Sequence, residues 1–200
     1  MAREKGVEKK KKGPATGKEQ TEEKKEESGV KVVKSPTFIT GIGASAGGLE
    51  ALEEFFRNTP ADPGIGFVIV THMDPKHKSL LPEILQRYTK MPVSQAESGM
   101  SVQPNSVYIT PPNTYISISK GTLSLEEPAK MQGIRMPIDF FFRQLAADWD
   151  SRAIGIILSG MGHDGVLGLR ALRERMGTVM AQDPASAQFP SMPQSAITYG

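Results

Sequence analysis

One serine, one histidine and one aspartate in this sequence follow runs of apolar residues and have side chains suited to acyl transfer. Ser45 lies in Gly43-Ala-Ser-Ala-Gly47, a G-x-S-x-G sequence typical of a tight turn that presents a serine hydroxyl at the end of a strand. His72 and Asp164 follow two later apolar runs. A serine hydroxyl is a poor nucleophile at neutral pH, so it needs a base, and the base needs an acid that fixes its tautomer. The three residue types therefore predict a nucleophile, a general base and an orienting acid.

Strands are predicted directly before each of these residues. Apolar runs of strand length cover 38–42, 66–70 and 153–158, and the last two are continuous, as in strands that a parallel sheet buries on both faces. In open α/β sheets, the loops after the carboxyl ends of the strands meet at one edge, where ligand sites form. We therefore expect the serine, the histidine and the aspartate to lie close together at that edge. The backbone N–H of Ala46, at the start of the next helix, is then a natural donor to an oxyanion.

Strands and helices alternate along most of the sequence. Helices are predicted over 48–58, 79–88, 135–149 and 166–176, further strands at 91–93, 107–110 and 178–182, and a β-hairpin over 115–125. Such alternation is typical of a doubly wound α/β domain. The predicted fold is a Rossmann-like, mainly parallel sheet with helices on both faces and an inserted β-hairpin.

The first 36 residues differ in composition from the rest. Lys, Glu, Gly, Thr and Ser dominate them, and such a segment buries too little apolar surface to offset the entropy of ordering. We therefore predict a disordered tail over 1–36 and one domain over 37–200. Residues 1–34 hold 11 Lys or Arg against 7 Glu, whereas the remaining chain has a small surplus of acids. No nucleic-acid partner is expected, and the Lys9–Lys12 run is interpreted as a solvated tail rather than a nucleic-acid or membrane patch.

Cysteines and long apolar segments are both missing from the sequence. With no cysteine, disulfides, thiolate metal sites and a cysteine nucleophile are excluded. No run approaches the roughly 18 apolar residues of a membrane span, and the charged N-terminus has no apolar stretch that would make it a secretory signal. These features predict a soluble, cytoplasmic protein without membrane insertion.

Each candidate residue also has a purely structural explanation. Ser45 and Asp164 could each cap the helix that follows, and His72 could be an ordinary loop histidine. The chain order of serine, histidine and aspartate, with a single strand before the serine, differs from that of the lipase-type hydrolases. The order therefore disfavours the lipase-type fold but leaves the triad chemistry available.

Two other kinds of site are compatible with parts of this sequence. Gly41-Ile-Gly-Ala-Ser-Ala46 matches a dinucleotide fingerprint, but Thr71-His72 follows the next strand, where that site needs an acidic residue. A metal site of His72, Asp74 and His77 is disfavoured because lysines flank His77 and oppose a cation. No metal and no cofactor are therefore expected.

Six segments, in order, resemble the catalytic domain of the chemotaxis protein-glutamate methylesterases (CheB). They are Ile42-Gly-Ala-Ser-Ala-Gly-Gly48, Thr71-His-Met73, Val107-Tyr-Ile-Thr-Pro-Pro112, Pro137-Ile-Asp139, Gly160-Met-Gly-His-Asp-Gly165 and Ala181-Gln-Asp-Pro184. The match runs from about Phe38 to the end, and in detail it looks most like the branch fused to a receptor methyltransferase. The resemblance implies hydrolysis of glutamate γ-methyl esters on the cytoplasmic helices of chemoreceptors, and some members of the family also deamidate receptor glutamines.

The resemblance also implies roles for particular residues. Ser45, His72 and Asp164 take the three triad positions, and Met161 resembles a residue whose backbone lines the oxyanion site. Arg135 and the Pro137–Asp139 turn resemble a segment that borders the substrate cleft. The implied partners are methylated chemoreceptors and a receptor methyltransferase or another signalling protein, and no cofactor or metal is needed.

Three departures from the family pattern accompany the resemblance. Residues 1–36 are too short for the receiver domain of the stand-alone enzymes and contain no aspartate, so phosphorylation within this chain is not expected. Ala46 replaces a common threonine but keeps the backbone donor. The family usually continues beyond Ala196–Gly200, which implies an excised or shortened piece. An alternative function is therefore a catalytically weak interaction module that keeps the fold and binds a receptor or regulatory partner.

Overall fold

In the computed structural model, which describes residues 35–72, 80–128 and 135–200, parallel strands form a central six-stranded sheet. Its strands are β1 (Phe38–Ala44), β2 (Ile65–Thr71), β3 (Val93–Gln95), β4 (Ser106–Ile109), β7 (Ala153–Ile157) and β8 (Thr178–Ala181), and β5 (Tyr115–Ser119) and β6 (Thr122–Glu126) form a separate antiparallel hairpin. The helices are α1 (Gly48–Arg57), α2 (Leu81–Leu85), α3 (Pro137–Trp149), α4 (Val166–Glu174) and α5 (Ser191–Tyr199). The described residues all belong to one compact unit.

The strand order places the three candidate residues on neighbouring strands. The sheet runs β3-β4-β2-β1-β7-β8, so β2, β1 and β7 form its centre and the order reverses direction beside β1. Ala44 pairs with Thr71 across β1 and β2, and Gly43 pairs with Ile157 across β1 and β7. The three strands therefore end level with one another, at the switch point where doubly wound sheets form their sites.

Helices cover both faces of the sheet, as the sequence predicts. One apolar core joins α1 and α2 to residues such as Ile42 and Ile69, and the other joins α3, α4, α5 and the hairpin to residues such as Ile39 and Val68. These side chains alternate between faces along each strand, which is the two-residue period of β structure. The prediction of a doubly wound, mainly parallel α/β fold with an inserted hairpin is confirmed.

Helix α3 packs unusually close to β1. A Cβ at Gly41 would lie 2.7 Å from the ring of Phe142, and a Cβ at Gly43 would lie 2.5 Å from Ile138. Glycine at these two positions therefore lets the helix approach the strand directly. As a result, the N-terminal turn of α3 lies near the carboxyl end of β1, where Ser45 begins the next loop.

The structure differs from the sequence predictions in two helices. Helix α5 was not predicted, because only Met192, Pro193 and Ala196 are buried and its polar residues give a weak helical pattern. Helix α2 is only five residues long and begins at Leu81, while Ser79, its predicted cap, lies outside the described residues. So do residues 1–34 of the predicted tail. None of the helices in the described ranges is long and apolar enough to cross a membrane.

Candidate active site

Ser45 directly follows β1 in a turn that a glycine closes. The N–H of Ser45 donates to the carbonyl of Ser159 (3.0 Å), and the N–H of Gly48 donates to the carbonyl of Ser45 (2.9 Å). Gly47 has φ +65° and is the N-cap of α1, which no side chain caps. The left-handed residue of this turn is thus Gly47 and not the serine. The explanation of Ser45 as a side-chain cap of α1 is wrong.

His72 follows β2 and contacts Asp164, which lies in the loop between β7 and α4. The Nε2 of His72 and the Oδ2 of Asp164 are 2.8 Å apart. A third of the His72 side chain is exposed, whereas the Asp164 side chain is 3% exposed. Because Nε2 faces the carboxylate, Nδ1 is the imidazole nitrogen that remains to accept a proton. The contact between His72 and Asp164 is the one expected for the second half of the predicted triad, and the role of His72 as a base stays a prediction.

Asp164 is held by the first turn of α3. Its Oδ2 accepts from the N–H of Ile138 (3.0 Å) and its Oδ1 accepts from the N–H of Asp139 (2.9 Å). Both carboxyl oxygens of Asp164 therefore accept backbone N–H groups at the N-terminal end of α3. Helix α4, by contrast, has Gly165 as its N-cap, and Asp164 accepts no hydrogen bond from the N–H groups of α4. Asp164 therefore caps α3, and the explanation that it caps α4 is wrong.

The structure brings two of the three predicted triad residues into contact. The register of β1 and β2 places Ser45 and His72 one residue beyond the paired Ala44 and Thr71. Within the described ranges, however, the hydroxyl of Ser45 forms no hydrogen bond to His72 or to any other group. The serine–histidine contact therefore stays a prediction, while the histidine–aspartate contact is observed.

Ser159 lies at the site but was not among the residues predicted from the sequence. It is fully buried, its hydroxyl donates to the carbonyl of Ala46 (2.9 Å), and the same hydroxyl accepts from the N–H of Phe189 (3.0 Å). Its backbone N–H donates to Oε1 of Gln182 (2.8 Å). Ser159 thus fixes the turn around Ser45 to two later segments. The available signal was a lone hydroxyl directly after a continuous apolar strand.

The predicted oxyanion donors lie in the turns next to Ser45. Neither the N–H of Ala46 nor that of Met161 donates a hydrogen bond within the described ranges. A Cβ at Gly160 would lie 3.0 Å from the Cβ of Ser45 and 2.5 Å from the terminal methyl of Met192 in α5. The Gly160-Met161 backbone therefore passes directly beside the serine. The role of these two N–H groups as oxyanion donors stays a prediction.

A pocket next to His72 contains the predicted substrate-lining residue Arg135. Its lining residues are Thr71, His72, Asn113, Thr114, Tyr115, Pro128, Arg135 and Pro137, and its volume is about 210 Å³. The Nη1 of Arg135 donates to Oδ1 of Asn113 (2.7 Å), which fixes the guanidinium. The hydroxyl of Thr71 is buried and has no hydrogen-bond partner in the part of the chain described. The described lining residues therefore present donors and a positive charge, and none of them is a carboxylate.

The alternative metal site lies mostly outside the described residues. Asp74 and His77 belong to that undescribed part, and the described residues contain no group of three His, Cys, Asp or Glu arranged to hold a metal ion. His163 is exposed on the loop before α4. His72, the remaining candidate ligand, pairs with Asp164.

The protein is a doubly wound α/β domain with a candidate serine-hydrolase site. That site consists of a serine turn and a histidine–aspartate pair at the switch point of the parallel sheet. Within that class, the chain belongs to the CheB methylesterase family, whose family model matches residues 40–200. The predicted resemblance to this family is confirmed. Placement on the branch fused to a methyltransferase stays a prediction.

Individual relatives and a solved structure show the same similarity. The chain is 38% identical to a protein-glutamate methylesterase/protein-glutamine glutaminase of Burkholderia lata over 82% of this chain and 49% of the relative. It is 35% identical to a protein of the same name from Cupriavidus metallidurans, over 81% and 48%. The catalytic domain of Thermotoga maritima CheB matches with a TM-score of 0.74 at 31% identity, over 83% of this chain and 89% of that domain. The chain spans about half the length of these curated relatives.

Proposed function

We propose that this chain is a serine-dependent protein-glutamate methylesterase, with residues 37–200 as its catalytic domain. The observation that carries the proposal is the contact between His72 and Asp164 beside the turn of Ser45. The buried carboxylate holds Nε2 of the imidazole, which leaves Nδ1 as the nitrogen that would take the serine proton. This arrangement provides a base for a serine hydroxyl that has no other hydrogen-bond partner among the described residues.

The reaction would proceed through an acyl-enzyme. Oγ of Ser45 attacks the ester carbonyl carbon while Nδ1 of His72 takes its proton, and a tetrahedral oxyanion forms. His72 then gives that proton to the departing methoxide, which leaves as methanol. Water adds to the acyl-enzyme and loses its proton to His72, Ser45 regains a proton, and a glutamate carboxylate is released. With a glutamine substrate, ammonia leaves in place of methanol.

Asp164 and two backbone groups would stabilise the charges that develop. The carboxylate of Asp164 stabilises the imidazolium and keeps Nε2 protonated, so that Nδ1 stays the basic nitrogen. The N–H groups of Ala46 and Met161 would bind the oxyanion, because both are unpaired among the described residues and lie beside the serine. Every step uses only protein groups and water.

The family membership and the pocket beside His72 support a proposal for the substrate class. We propose that methylated helices of chemoreceptor cytoplasmic domains are the substrate, and that Arg135 contacts the substrate at the rim of the site. The relatives carry both methylesterase and glutaminase in their names, so glutamine deamidation is proposed as a second reaction of the same site.

The deciding experiment measures methanol release from receptor that carries a radiolabelled methyl group. The wild-type chain should release labelled methanol, and Ser45→Ala should not. Ser119→Ala, which removes an exposed hydroxyl at the end of β5, is the matched control and should keep full activity. Equal release by wild type and Ser45→Ala would overturn the nucleophile assignment. A folded wild-type protein that binds receptor but releases no methanol would instead support the interaction module.

A further inference from the structure

The N-terminal ends of helices α3 and α4 are each capped by a carboxyl group that belongs to, or directly precedes, the other helix. Asp164, just before α4, accepts from the N–H groups of Ile138 and Asp139 in the first turn of α3. Asp139, in the first turn of α3, accepts with Oδ1 from the N–H of Gly168 (2.8 Å) in the first turn of α4. Both acids are buried, with 5% of Asp139 and 3% of Asp164 exposed. Each helix therefore receives its anionic cap from the other.

The two helices are in direct backbone contact at this exchange. A Cβ at Gly168 would lie 2.4 Å from the Cβ of Phe142 and 3.2 Å from the carbonyl oxygen of Asp139. Gly165 has φ +97°, and a Cβ there would lie 2.4 Å from Ile157. These contacts leave no room for a side chain, so the first turn of α4 packs closely against α3. The acid before that turn, Asp164, is fixed with it.

The buried position of Asp139 makes its carboxyl group harder to ionise, and an ionised acid there lowers the stability of the fold. Burial raises the pKa of Asp139, the hydrogen bond from Gly168 opposes this, and the nearby charge of Asp164 raises the pKa further. Two carboxyl groups in one buried cluster repel each other, so an acid at this position opposes folding when it ionises. Asp139 lies on the otherwise apolar face of α3, in the same buried cluster as Asp164, which links it to the neighbouring site.

We propose that Asp139 is a positioning residue for the His72–Asp164 pair. By holding the N–H of Gly168, its carboxyl group fixes the first turn of α4 on α3 and keeps Oδ2 of Asp164 within hydrogen-bond distance of Nε2 of His72. The inference rests on the proposed function, because it assigns Asp139 a part in orienting the base. Asp139 does not touch the substrate in this role.

The test compares three variants of the full chain by two readouts. Asp139→Ala removes the acceptor for Gly168, whereas Asp139→Asn keeps an acceptor oxygen. Asp148→Ala is the matched control, because Asp148 near the far end of α3 also accepts two backbone N–H groups, those of Lys120 and Gly121. The readouts are kcat and KM for methanol release and the imidazole tautomer of His72 from nitrogen-15 NMR. The chain has three histidines, so His77→Gln and His163→Gln assign the signals.

The expected result separates positioning from a structural role. Asp139→Ala should lose the single Nε2–H tautomer of His72 and lower kcat about 10- to 100-fold, with KM within about twofold, because small misplacement of a catalytic group costs rates of this order. Asp139→Asn should keep the tautomer and stay within about threefold of wild-type kcat. Asp148→Ala should lower the melting temperature without changing either readout.

Two results would overturn the inference. One is an Asp139→Ala protein with wild-type tautomer and kcat, and the other is an Asp148→Ala protein that loses both to the same degree. If Asp139→Ala does not fold, Asp139→Ser replaces it with the same expectation, because the shorter hydroxyl withdraws from Gly168. If wild type releases no methanol, the proposed function fails, while the His72 tautomer in the variants still decides the role of Asp139.

Discussion

Nε2 of His72 lies 2.8 Å from Oδ2 of Asp164, although the two residues are 92 positions apart in the sequence. The same carboxylate accepts from two backbone N–H groups of α3. One acid therefore holds the imidazole of His72 and caps a helix, so that the candidate site and the packing of α3 depend on each other. This double role makes Asp164 the residue whose substitution should affect activity and stability together.

Asp164→Asn should lower kcat for methanol release about 10³- to 10⁴-fold. An amide keeps most of the shape, but it does not enforce the Nε2–H tautomer that leaves Nδ1 basic, and loss of this orienting charge costs rates of that order in other triads. The measurement is kcat against thermal stability, with Asp150→Asn as an exposed control. Wild-type kcat in a folded Asp164→Asn protein would show that His72 does not depend on this carboxylate.

Gly160→Ala should lower both activity and stability, because the new Cβ meets two groups. It would lie 2.5 Å from the terminal methyl of Met192 and 3.0 Å from the Cβ of Ser45. We expect kcat to fall at least about tenfold, since displacement of the serine or of the Met161 N–H weakens transition-state contacts.

A second substitution separates the two effects of Gly160→Ala. Adding Met192→Ala removes the closer of the two contacts and should recover part of the thermal stability. The contact with Ser45 remains, so kcat should stay low in the double variant. Full recovery of kcat would mean that the packing of α5, and not the serine, determines the effect.

The strands that carry the site can be predicted from the sequence because buried strands are runs of apolar residues. The runs before His72 and Asp164 are continuously apolar, as strands covered on both faces must be, and Pro137 marks the first turn of α3 where the structure begins it. Lys120-Gly121 likewise predicts the hairpin turn, and both residues have positive φ there. Local chemistry and tertiary structure agree at these positions.

The missed features depend on contacts between segments that are distant in sequence. Asp164 looks like a cap for the helix that follows it, and only the close packing of α3 on β1 shows that it caps the other helix. The resemblance places Asp139 in a turn bordering the substrate cleft, but its contact with the N–H of Gly168 depends on the packing of α3 against α4. Helix α5 gave only a weak pattern, since its buried residues Met192 and Ala196 are few and join a core formed by distant segments.

Arg135→Ala should raise KM for methylated receptor about tenfold and change kcat by less than about threefold. Its guanidinium is held by Asn113 at the pocket beside His72, where it can bind a substrate acceptor away from the reacting bond. A charge-assisted hydrogen bond of about 1.5–3 kcal/mol accounts for a change of this size. Arg87→Ala, which removes an exposed arginine after α2, is the control. A kcat loss with unchanged KM would instead place Arg135 in the chemical step.

The free energy of unfolding of Asp139→Asn relative to wild type should rise with pH and then become constant. Burial raises the pKa of Asp139 above 3.8, its ordinary value. Below 3.8 the carboxyl group is protonated in both states and contributes nothing. Between 3.8 and the raised pKa the folded state binds more protons than the unfolded state, so wild-type stability falls as pH rises. Above the raised pKa the wild-type protein has lost the full amount of stability. Asparagine does not titrate, so the variant does not lose stability in this way.

Urea unfolding of both proteins at closely spaced pH values measures this difference. Asp62→Asn, which removes an exposed carboxyl group, corrects for the loss of one charge from the chain. The groups that face Asp139 are Asp164, which raises its pKa, and Arg143, which lowers it, so Arg143→Gln should widen the pH range over which the difference grows. A difference that is flat or shrinks with rising pH would mean that the Asp139 carboxyl group is no harder to ionise in the folded protein. The cost that motivates its positioning role would then not exist.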